Sequence, residues 1–311
     1  MRSEGLAPKN NGKLVHIPLC TTCINLYMKF IQWFPGHMTK AMRMMEESVR
    51  VCDGIIYVLD ARCPASSYNK NLKKTFGTRP VLYVLNKCDL ADKKVDGFVS
   101  LIRERGGMCI KLNAVNANSR RDITGAISSL VAEKQERSLA RGYNRIFRFM
   151  VCGVPNTGKS TLINLLSREK RAATGDKAGV TRGKQWIRCD GFELLDTPGT
   201  TPPAFENQKL AARLAFVGSL NDDILDMDNI ALALLDELAQ KYPRRLKERY
   251  GIEVGEPLEM LEGVCRRRGL MLRGGEFDYE RAERAVIDDF RKGRLGGVTL
   301  DELSDCDGFE F

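Results

Sequence analysis

The stretch GVPNTGKS, from Gly153 to Ser160, has the glycine, lysine and serine spacing of a phosphate-binding loop. The mostly apolar residues 147–153 before it favour a strand, and the mostly apolar residues 162–166 after it favour a helix. A loop in this position presents its backbone N–H groups and the N-terminus of the helix to phosphate groups. The sequence therefore predicts a nucleotide-binding site on an α/β domain.

The expected phosphate and metal chemistry lies in this loop and in two later segments. Lys159 is predicted to reach the β- and γ-phosphates, and the Ser160 hydroxyl is predicted to bind Mg²⁺. In the later sequence DTPG, Asp196 is expected to hold Mg²⁺ through water and the Gly199 N–H to contact the γ-phosphate, while Thr181 is expected to give the metal a second hydroxyl. The other loop residues predicted to contact the nucleotide are Asn156, Thr157, Gly158 and Thr161.

A second motif, NKCDL from Asn86 to Leu90, follows an apolar run and is typical of a guanine-recognition loop. In this motif Asn86 would anchor the loop and the stem of Lys87 would cover the ring; Cys88 precedes the carboxylate. The Asp89 carboxylate would accept hydrogen bonds from the N1–H and the amino group of guanine. Adenine has neither donor in that position and would leave the carboxylate unpaired. The motif therefore predicts GTP rather than ATP.

The two motifs occur in the reverse of the usual GTPase order, because the guanine motif precedes the phosphate loop by 67 residues. Either the guanine motif is coincidental or the sheet is circularly permuted, which chain termini close together at a domain surface make topologically inexpensive. We interpret the order as a permutation. Asn113 and Ala114, at the end of another strand-like run, are then expected to make a backbone contact on the guanine side.

The apolar pattern divides the chain into an α/β part and a helical part. Runs of strand length at 54–60, 81–86, 108–113 and 147–153 alternate with helix-length segments, which predicts a parallel sheet with helices on both faces. After Pro203, apolar residues recur at three- and four-residue steps, which predicts a small all-helical domain. We predict a loose extension over 1–27, with Met28 as a candidate natural start, a permuted GTPase domain over 28–205 and a helical domain over 206–311.

Charge is distributed unevenly between these parts, although the whole chain carries a net charge of +9. Residues 1–205 hold 33 Lys and Arg against 17 Asp and Glu, whereas residues 206–311 hold 16 against 23. A basic surplus in one part indicates a polyanionic partner or simply solvated helix faces, and charge alone does not separate the two. The acidic helical part still contains two basic clusters, which are Arg244, Arg245, Lys247 and Arg249, and Arg266, Arg267, Arg268 and Arg273.

Composition excludes several classes of protein. No apolar run approaches the roughly 20 residues that a membrane-spanning helix needs, so we expect no membrane span. Most of the ten cysteines lie in or beside strand-like runs, which favours reduced thiols and a cytoplasmic location. The CxxC pair Cys20 and Cys23 has no second pair, so a zinc site built on it would have an incomplete ligand set.

From about Met28 to the C-terminus the sequence resembles the ribosome biogenesis GTPase A family, the bacterial YlqF-type permuted GTPases. The resemblance is carried by IQWFPGHM at 31–38, DAR at 60–62, GKQW at 183–186, DTPG at 196–199 and the permuted motif order. It implies GTP hydrolysis and a role in late maturation of the large (50S) ribosomal subunit, with rRNA bound in the GTP state and release after hydrolysis. It also implies a monomer off the ribosome.

The resemblance implies two further roles that the residues alone leave open. His37, in WFPGH, would orient or polarise the attacking water, or would only be a polar helix terminus. Asn156 resembles the loop asparagine that helps to bind K⁺ in some potassium-activated GTPases, or is an ordinary loop residue. Thr200, after DTPG, is neither the glutamine of many GTPases nor the hydrophobic residue typical of this family.

Three functions remain distinguishable at this point. The leading one is a GTP-gated RNA-binding switch, because the segment from Thr197 to Pro203 leads directly into the helical part. A phosphotransferase or ATPase would use the same phosphate loop but predicts ATP binding, against which Asp89 argues. A nucleotide-sensing scaffold would bind its partner equally well in the GDP and GTP states.

Overall fold

A six-stranded sheet forms the centre of the α/β part in this computed structural model, which describes residue 31 and residues 36–167, 185–205 and 207–311. The strands are β1 Gly54–Asp60, β2 Val81–Asn86, β3 Met108–Leu112, β4 Phe147–Cys152, β5 Gln185–Arg188 and β6 Phe192–Asp196. Their order across the sheet is β3-β2-β1-β4-β6-β5. The strands that precede the guanine motif and the phosphate loop are thus separated by β1 alone.

The predicted parallel sheet is confirmed for five strands, and the sixth is an antiparallel edge strand that the sequence analysis did not identify. The strand β5 pairs antiparallel to β6, with Trp186 opposite Leu195. The two strands are joined across Asp190-Gly191, a dipeptide that favours tight hairpin turns. The Asp190-Gly191 turn could have indicated β5 from the sequence, but β5 has only four residues, too few for a clear strand pattern.

Helices cover both faces of the sheet, as the alternation in β1 requires. Ile55, Tyr57 and Leu59 point into one apolar core with helices α1 Gly36–Val49, α2 Lys70–Lys74 and α3 Val95–Glu104. Ile56 and Val58 point into the other core. The helices that follow β3 and β4 are α4 Ser119–Leu130, α5 Ala132–Ala140 and α6 Lys159–Leu166. Because both faces are buried, β1 is apolar from Ile55 to Leu59, as parallel strands in α/β folds are.

The predicted helix-rich C-terminal region is confirmed. Its helices are α7 Gln208–Phe216, α8 Met227–Lys241, α9 Pro243–Tyr250, α10 Pro257–Arg268 and α11 Tyr279–Arg291. Pro243 and Pro257 each occupy the first turn of a helix, where the missing N–H costs no hydrogen bond. These helices share one apolar core, which includes Leu214, Leu234 and Val286. In the described part of the chain, no helix is long and apolar enough to cross a membrane.

The last residues of the chain return to the sheet, which the sequence pattern did not indicate. The Val298 N–H donates to the Leu90 carbonyl at 3.0 Å, so the tail passes beside the guanine motif. Phe309 then stacks on Tyr68, with ring centroids 4.5 Å apart. Phe309 also belongs to the apolar core that contains β1. The end of the predicted helical domain 206–311 therefore packs on the α/β part.

Candidate nucleotide site

The phosphate loop occupies the turn between β4 and α6, at the carboxyl end of a central strand, where α/β sheets bind their ligands. Gly158 precedes α6 with φ +94°, in the left-handed region. A Cβ at this position would lie 2.2 Å from Nδ2 of Asn86. Glycine is therefore required both by the backbone conformation and by the close approach of the guanine motif.

The structure brings the guanine motif against the phosphate loop. The Asn86 side chain donates from Nδ2 to the Thr157 carbonyl at 2.8 Å, across 71 residues of sequence. Lys87 donates from Nζ to the Asn156 carbonyl at 2.5 Å. The Asn86 Oδ1 accepts from the Ala114 N–H at 3.0 Å. Segments far apart in the chain thus converge on one cradle, in which Asn86 is the common residue.

The remaining guanine-side residues surround this junction. Lys87 adopts a left-handed conformation, with φ 60°, as the chain leaves β2. Cys88 and Asp89 follow in a short 3₁₀ turn, where Cys88 is half-buried and Asp89 is exposed. The carboxylate of Asp89 is accessible to a ligand. Asn113 directly follows β3 and precedes Ala114, and its side chain accepts from the Val115 N–H at 2.9 Å.

Lys159 lies at the start of α6, with its ammonium group folded into the loop. Its Nζ donates to the Val154 carbonyl at 2.8 Å. Burial lowers the pKa of Lys159 to about 8, against the opposing effect of the nearby Asp196 charge. A buried ammonium that donates to a neutral loop carbonyl favours a phosphate oxygen as its partner, because a bond to a charged acceptor is stronger.

The DTPG segment is attached to the same cradle from the other side. Asp196 ends β6 opposite Val151 of β4 and is almost fully buried. The Thr197 hydroxyl donates to the Val151 carbonyl at 2.7 Å, and the Thr200 N–H donates to the Gly153 carbonyl at 3.3 Å. A Cβ on Gly199 would lie 2.7 Å from the backbone of Pro155. The segment therefore sits directly on the phosphate loop.

The described residues fit a magnesium ion. The Ser160 hydroxyl lies in the first turn of α6 and is half-buried, and the Asp196 carboxylate lies at the end of β6. Hydroxyl and carboxylate oxygens are the ligands that Mg²⁺ prefers, together with phosphate oxygens and water. Ser160 and Asp196 would hold the ion, which would neutralise charge on the phosphates. Thr181, the third predicted ligand, lies outside the described residues.

The remaining predicted site residues are His37, Thr161 and Asn156. His37 is the second residue of α1, and its side chain lies outside the described part. The next residue, Met38, accepts at Sδ from the Thr201 hydroxyl at 3.2 Å, so the first turn of α1 packs on the segment after DTPG. Thr161 is half-buried in the first turn of α6. Asn156 donates from Nδ2 to the Gly218 carbonyl at 2.5 Å.

Sequence reasoning did not identify the contact between the helical region and the phosphate loop. Gly218 and Ser219 form the turn after α7, and the Ser219 hydroxyl donates to the Pro155 carbonyl at 2.7 Å. This contact uses backbone carbonyls of the loop, so it has no side-chain signature in the sequence. The turn after α7 therefore touches the nucleotide cradle directly.

Comparisons with known proteins agree with this geometry. A protein family described as 50S ribosome-binding GTPase matches residues 148–253. The match contains the phosphate loop and DTPG, whereas the guanine motif at 86–89 lies before it, as a permuted chain requires. The solved structure of GNP-bound YlqF from T. maritima has a TM-score of 0.60 and 27% sequence identity, and the match covers 85% of this chain and 98% of that chain. The circular permutation is confirmed by this shared fold.

Curated relatives give the same assignment. The ribosome biogenesis GTPase A of Bacillus cereus is 40% identical over 276 residues, which cover 87% of this chain and 93% of that protein. The ribosome biogenesis GTPase A of Priestia megaterium is 37% identical over 89% of this chain and 98% of that protein. These relatives favour a GTPase over the ATPase alternative. The chain is a circularly permuted GTPase and belongs to the ribosome biogenesis GTPase A family.

Proposed function

We propose that this GTPase is a nucleotide switch in late maturation of the large (50S) ribosomal subunit, binding rRNA in its GTP state and leaving after hydrolysis. The observation that carries the proposal is the direct contact of the helical region with the nucleotide cradle, through Ser219 and Pro155 at 2.7 Å. A change at the γ-phosphate would act on this contact and on the DTPG segment together. The names of the family and of the relatives support the ribosomal partner.

The surface of the helical region offers a small set of cations for RNA phosphates. Most residues of the two predicted basic clusters are engaged: Arg249 and Arg268 bind Asp289, and the ion pairs Arg245–Glu248, Lys247–Glu253 and Arg266–Glu262 lie on the surface. Arg244, Arg267 and Arg273 are exposed and form no ion pair with the described residues. We propose these three as the rRNA contacts of this region.

We propose the following roles in the nucleotide site. Asp89 recognises guanine, and the stem of Lys87 covers the ring. Asn86 anchors the guanine-recognition loop, and Cys88, Asn113 and Ala114 complete the guanine side of the site. Lys159 and the amides of the phosphate loop hold the phosphates, and Gly199 senses the γ-phosphate. The proposed phosphate-side contacts are Asn156, Thr157, Gly158, Lys159, Ser160, Thr161 and Gly199, and the proposed Mg²⁺ ligands are Ser160, Thr181 and Asp196.

We expect cosedimentation with large-subunit precursors to depend on nucleotide. The protein should bind more strongly with a nonhydrolysable GTP analogue than with GDP, and its binding should fall when Arg244, Arg267 and Arg273 are changed to Ala. Arg284→Ala is the matched control, because Arg284 is exposed on α11 and already pairs with Glu280. Equal binding in both nucleotide states would support the scaffold alternative and contradict the switch.

His37 is proposed as the residue that orients water for hydrolysis. The support is its position, since the neighbouring Met38 packs on Thr201 next to the DTPG segment. His37→Ala should lower ribosome-stimulated GTP hydrolysis about 100-fold or more, the range of general acid–base catalysis, without changing GTP affinity. Thr39→Ala, an exposed change in the same turn, is the control. Unchanged stimulated hydrolysis in His37→Ala would rule out the role.

Three finer features complete the proposal. A K⁺ ion near Asn156 would assist hydrolysis, which the same assay checks with NaCl in place of KCl; equal rates would contradict it. The location is proposed as cytoplasmic, in keeping with the bacterial relatives. Off the ribosome the protein is proposed to be a monomer, which sedimentation velocity would verify.

A further inference from the structure

Asp60, the last residue of β1, is fully buried between two cations. Its carboxylate accepts from Nε and Nη2 of Arg62 at 2.9 and 2.8 Å, and Nζ of Lys87 lies 3.0 Å from Oδ2. Burial alone would raise the pKa of Asp60, but the two cations outweigh it and hold the pKa below its ordinary value. The ionised carboxylate therefore fixes both cations in place.

The other edge of the Arg62 guanidinium reaches the helical region. Its Nη1 donates to the carbonyls of Phe290 and Arg291, at 3.4 and 3.2 Å. These carbonyls belong to the last turn of α11, and the Phe290 carbonyl also accepts from the Gly293 N–H just beyond the helix. A cation also interacts favourably with the C-terminal end of a helix dipole. One buried arginine thus joins β1 to the end of α11.

Lys87 carries this connection into the guanine motif. Among the described residues, its ammonium group contacts the Asn156 carbonyl and the Asp60 carboxylate. The stem of Lys87 is the part proposed to cover the guanine ring. Asp60 therefore helps to hold the stem in position, and Arg62 in turn holds the Asp60 carboxylate.

The same end of α11 also supports the phosphate loop. Arg291 donates from Nε to the Phe216 carbonyl at 3.0 Å and from Nη2 to the Ala215 carbonyl at 2.8 Å, so it caps α7. The turn after α7 contains Gly218, which accepts from Asn156 of the phosphate loop. The C-terminal end of α11 is consequently linked to both halves of the nucleotide cradle.

We propose that Arg62 is a positioning residue for guanine-nucleotide binding, which orients Lys87 through Asp60 and couples nucleotide binding to the end of α11. The inference rests on the proposed contact between Lys87 and guanine. It does not depend on the ribosomal partner. In this arrangement the helical region stabilises the nucleotide site, and by linkage nucleotide binding stabilises the end of α11.

Arg62→Ala should raise the KM for GTP and the Kd for GDP about tenfold, within the usual range of coupling between sites. The kcat at saturating GTP should stay unchanged, as should the preference for GDP over XDP, because Asp89 is untouched. Arg249→Ala is the matched control, since Arg249 binds Asp289 of α11 but forms no bond with Asp60. An unchanged Kd in Arg62→Ala, or an equal rise in Arg249→Ala, would overturn the proposal.

Hydrogen exchange on the unaltered protein tests the same coupling if Arg62→Ala does not fold. The Gly293 and Arg294 amides donate to the Phe290 and Asp289 carbonyls at the end of α11. GDP should slow their exchange as well as that of residues 156–158. Protection of 156–158 without protection at 293–294 would refute the coupling and leave the nucleotide site intact. Protection at neither place would refute both the coupling and the nucleotide site.

Discussion

Asp89→Asn should lower GTP affinity about 100-fold or more, since a site built for particular hydrogen bonds rejects a ligand that leaves them unpaired. Asn keeps one acceptor but replaces the other with an N–H group, which faces the amino group of guanine. Xanthine has a carbonyl oxygen in that position, so the variant should gain affinity for XTP. The structure makes Asp89 available for this role, because it is exposed on the 3₁₀ turn beside the cradle.

Fluorescent-nucleotide titrations with GTP, XTP and ATP would measure this change. Asp96→Asn is the matched control: Asp96 is also an exposed aspartate, but it pairs with Lys111 on the surface. The control should bind GTP like the unaltered protein. If Asp89→Asn also retained full GTP affinity, or if ATP bound as tightly as GTP, the guanine assignment would be wrong.

Gly199→Ala should abolish most GTP hydrolysis while reducing GDP affinity far less. The new Cβ would lie 2.7 Å from the Pro155 backbone, closer than a Cβ atom can approach, and would make a tight contact of 3.0 Å with Nζ of Lys159. The DTPG segment must therefore move off the phosphate loop, which would break the bond from the Thr200 N–H to the Gly153 carbonyl. A displacement of about 1 Å can cost roughly 100-fold in rate, so we expect a loss of at least that size.

Single-turnover hydrolysis and GDP titration would separate the two effects of Gly199→Ala. Gly125→Ala is the matched control, because Gly125 lies inside α4 and a Cβ there would meet no atom within 4 Å. The control should hydrolyse GTP normally and gain up to about 1 kcal/mol in free energy of unfolding from its higher helix propensity. Normal GTP hydrolysis by Gly199→Ala would show that hydrolysis does not require the DTPG segment to lie on the phosphate loop.

The sequence predicted those features of the fold and the site that depend on local sequence patterns. The strands β1, β2 and β4 were predictable because each is rich in consecutive apolar residues, and buried parallel strands require such runs. The permutation was predictable because motif order is read directly from the chain. The contact of Asn86 with the phosphate loop agrees with this, since the parallel strands β2 and β4 bring their carboxyl ends to one edge of the sheet, with only β1 between them.

The features that escaped prediction depend on backbone groups far apart in sequence. Arg62 reaches the Phe290 carbonyl across 228 residues, and Ser219 reaches the Pro155 carbonyl across 64. A carbonyl acceptor is present at every residue, so the sequence does not show which one an arginine or serine will use. The packing of Phe309 on the sheet was not predicted either, because this apolar contact depends on the path of the whole helical region.

A crystal structure with bound GDP tests the central claim most directly: residues encoded early and late in the chain hold one guanine nucleotide. The account predicts the β-phosphate against the phosphate-loop amides and Nζ of Lys159. It also predicts the Asp89 carboxylate about 3 Å from N1 and the amino group of the base, the usual hydrogen-bond distance. A guanine ring bound away from Asn86 and Asp89 would contradict the account.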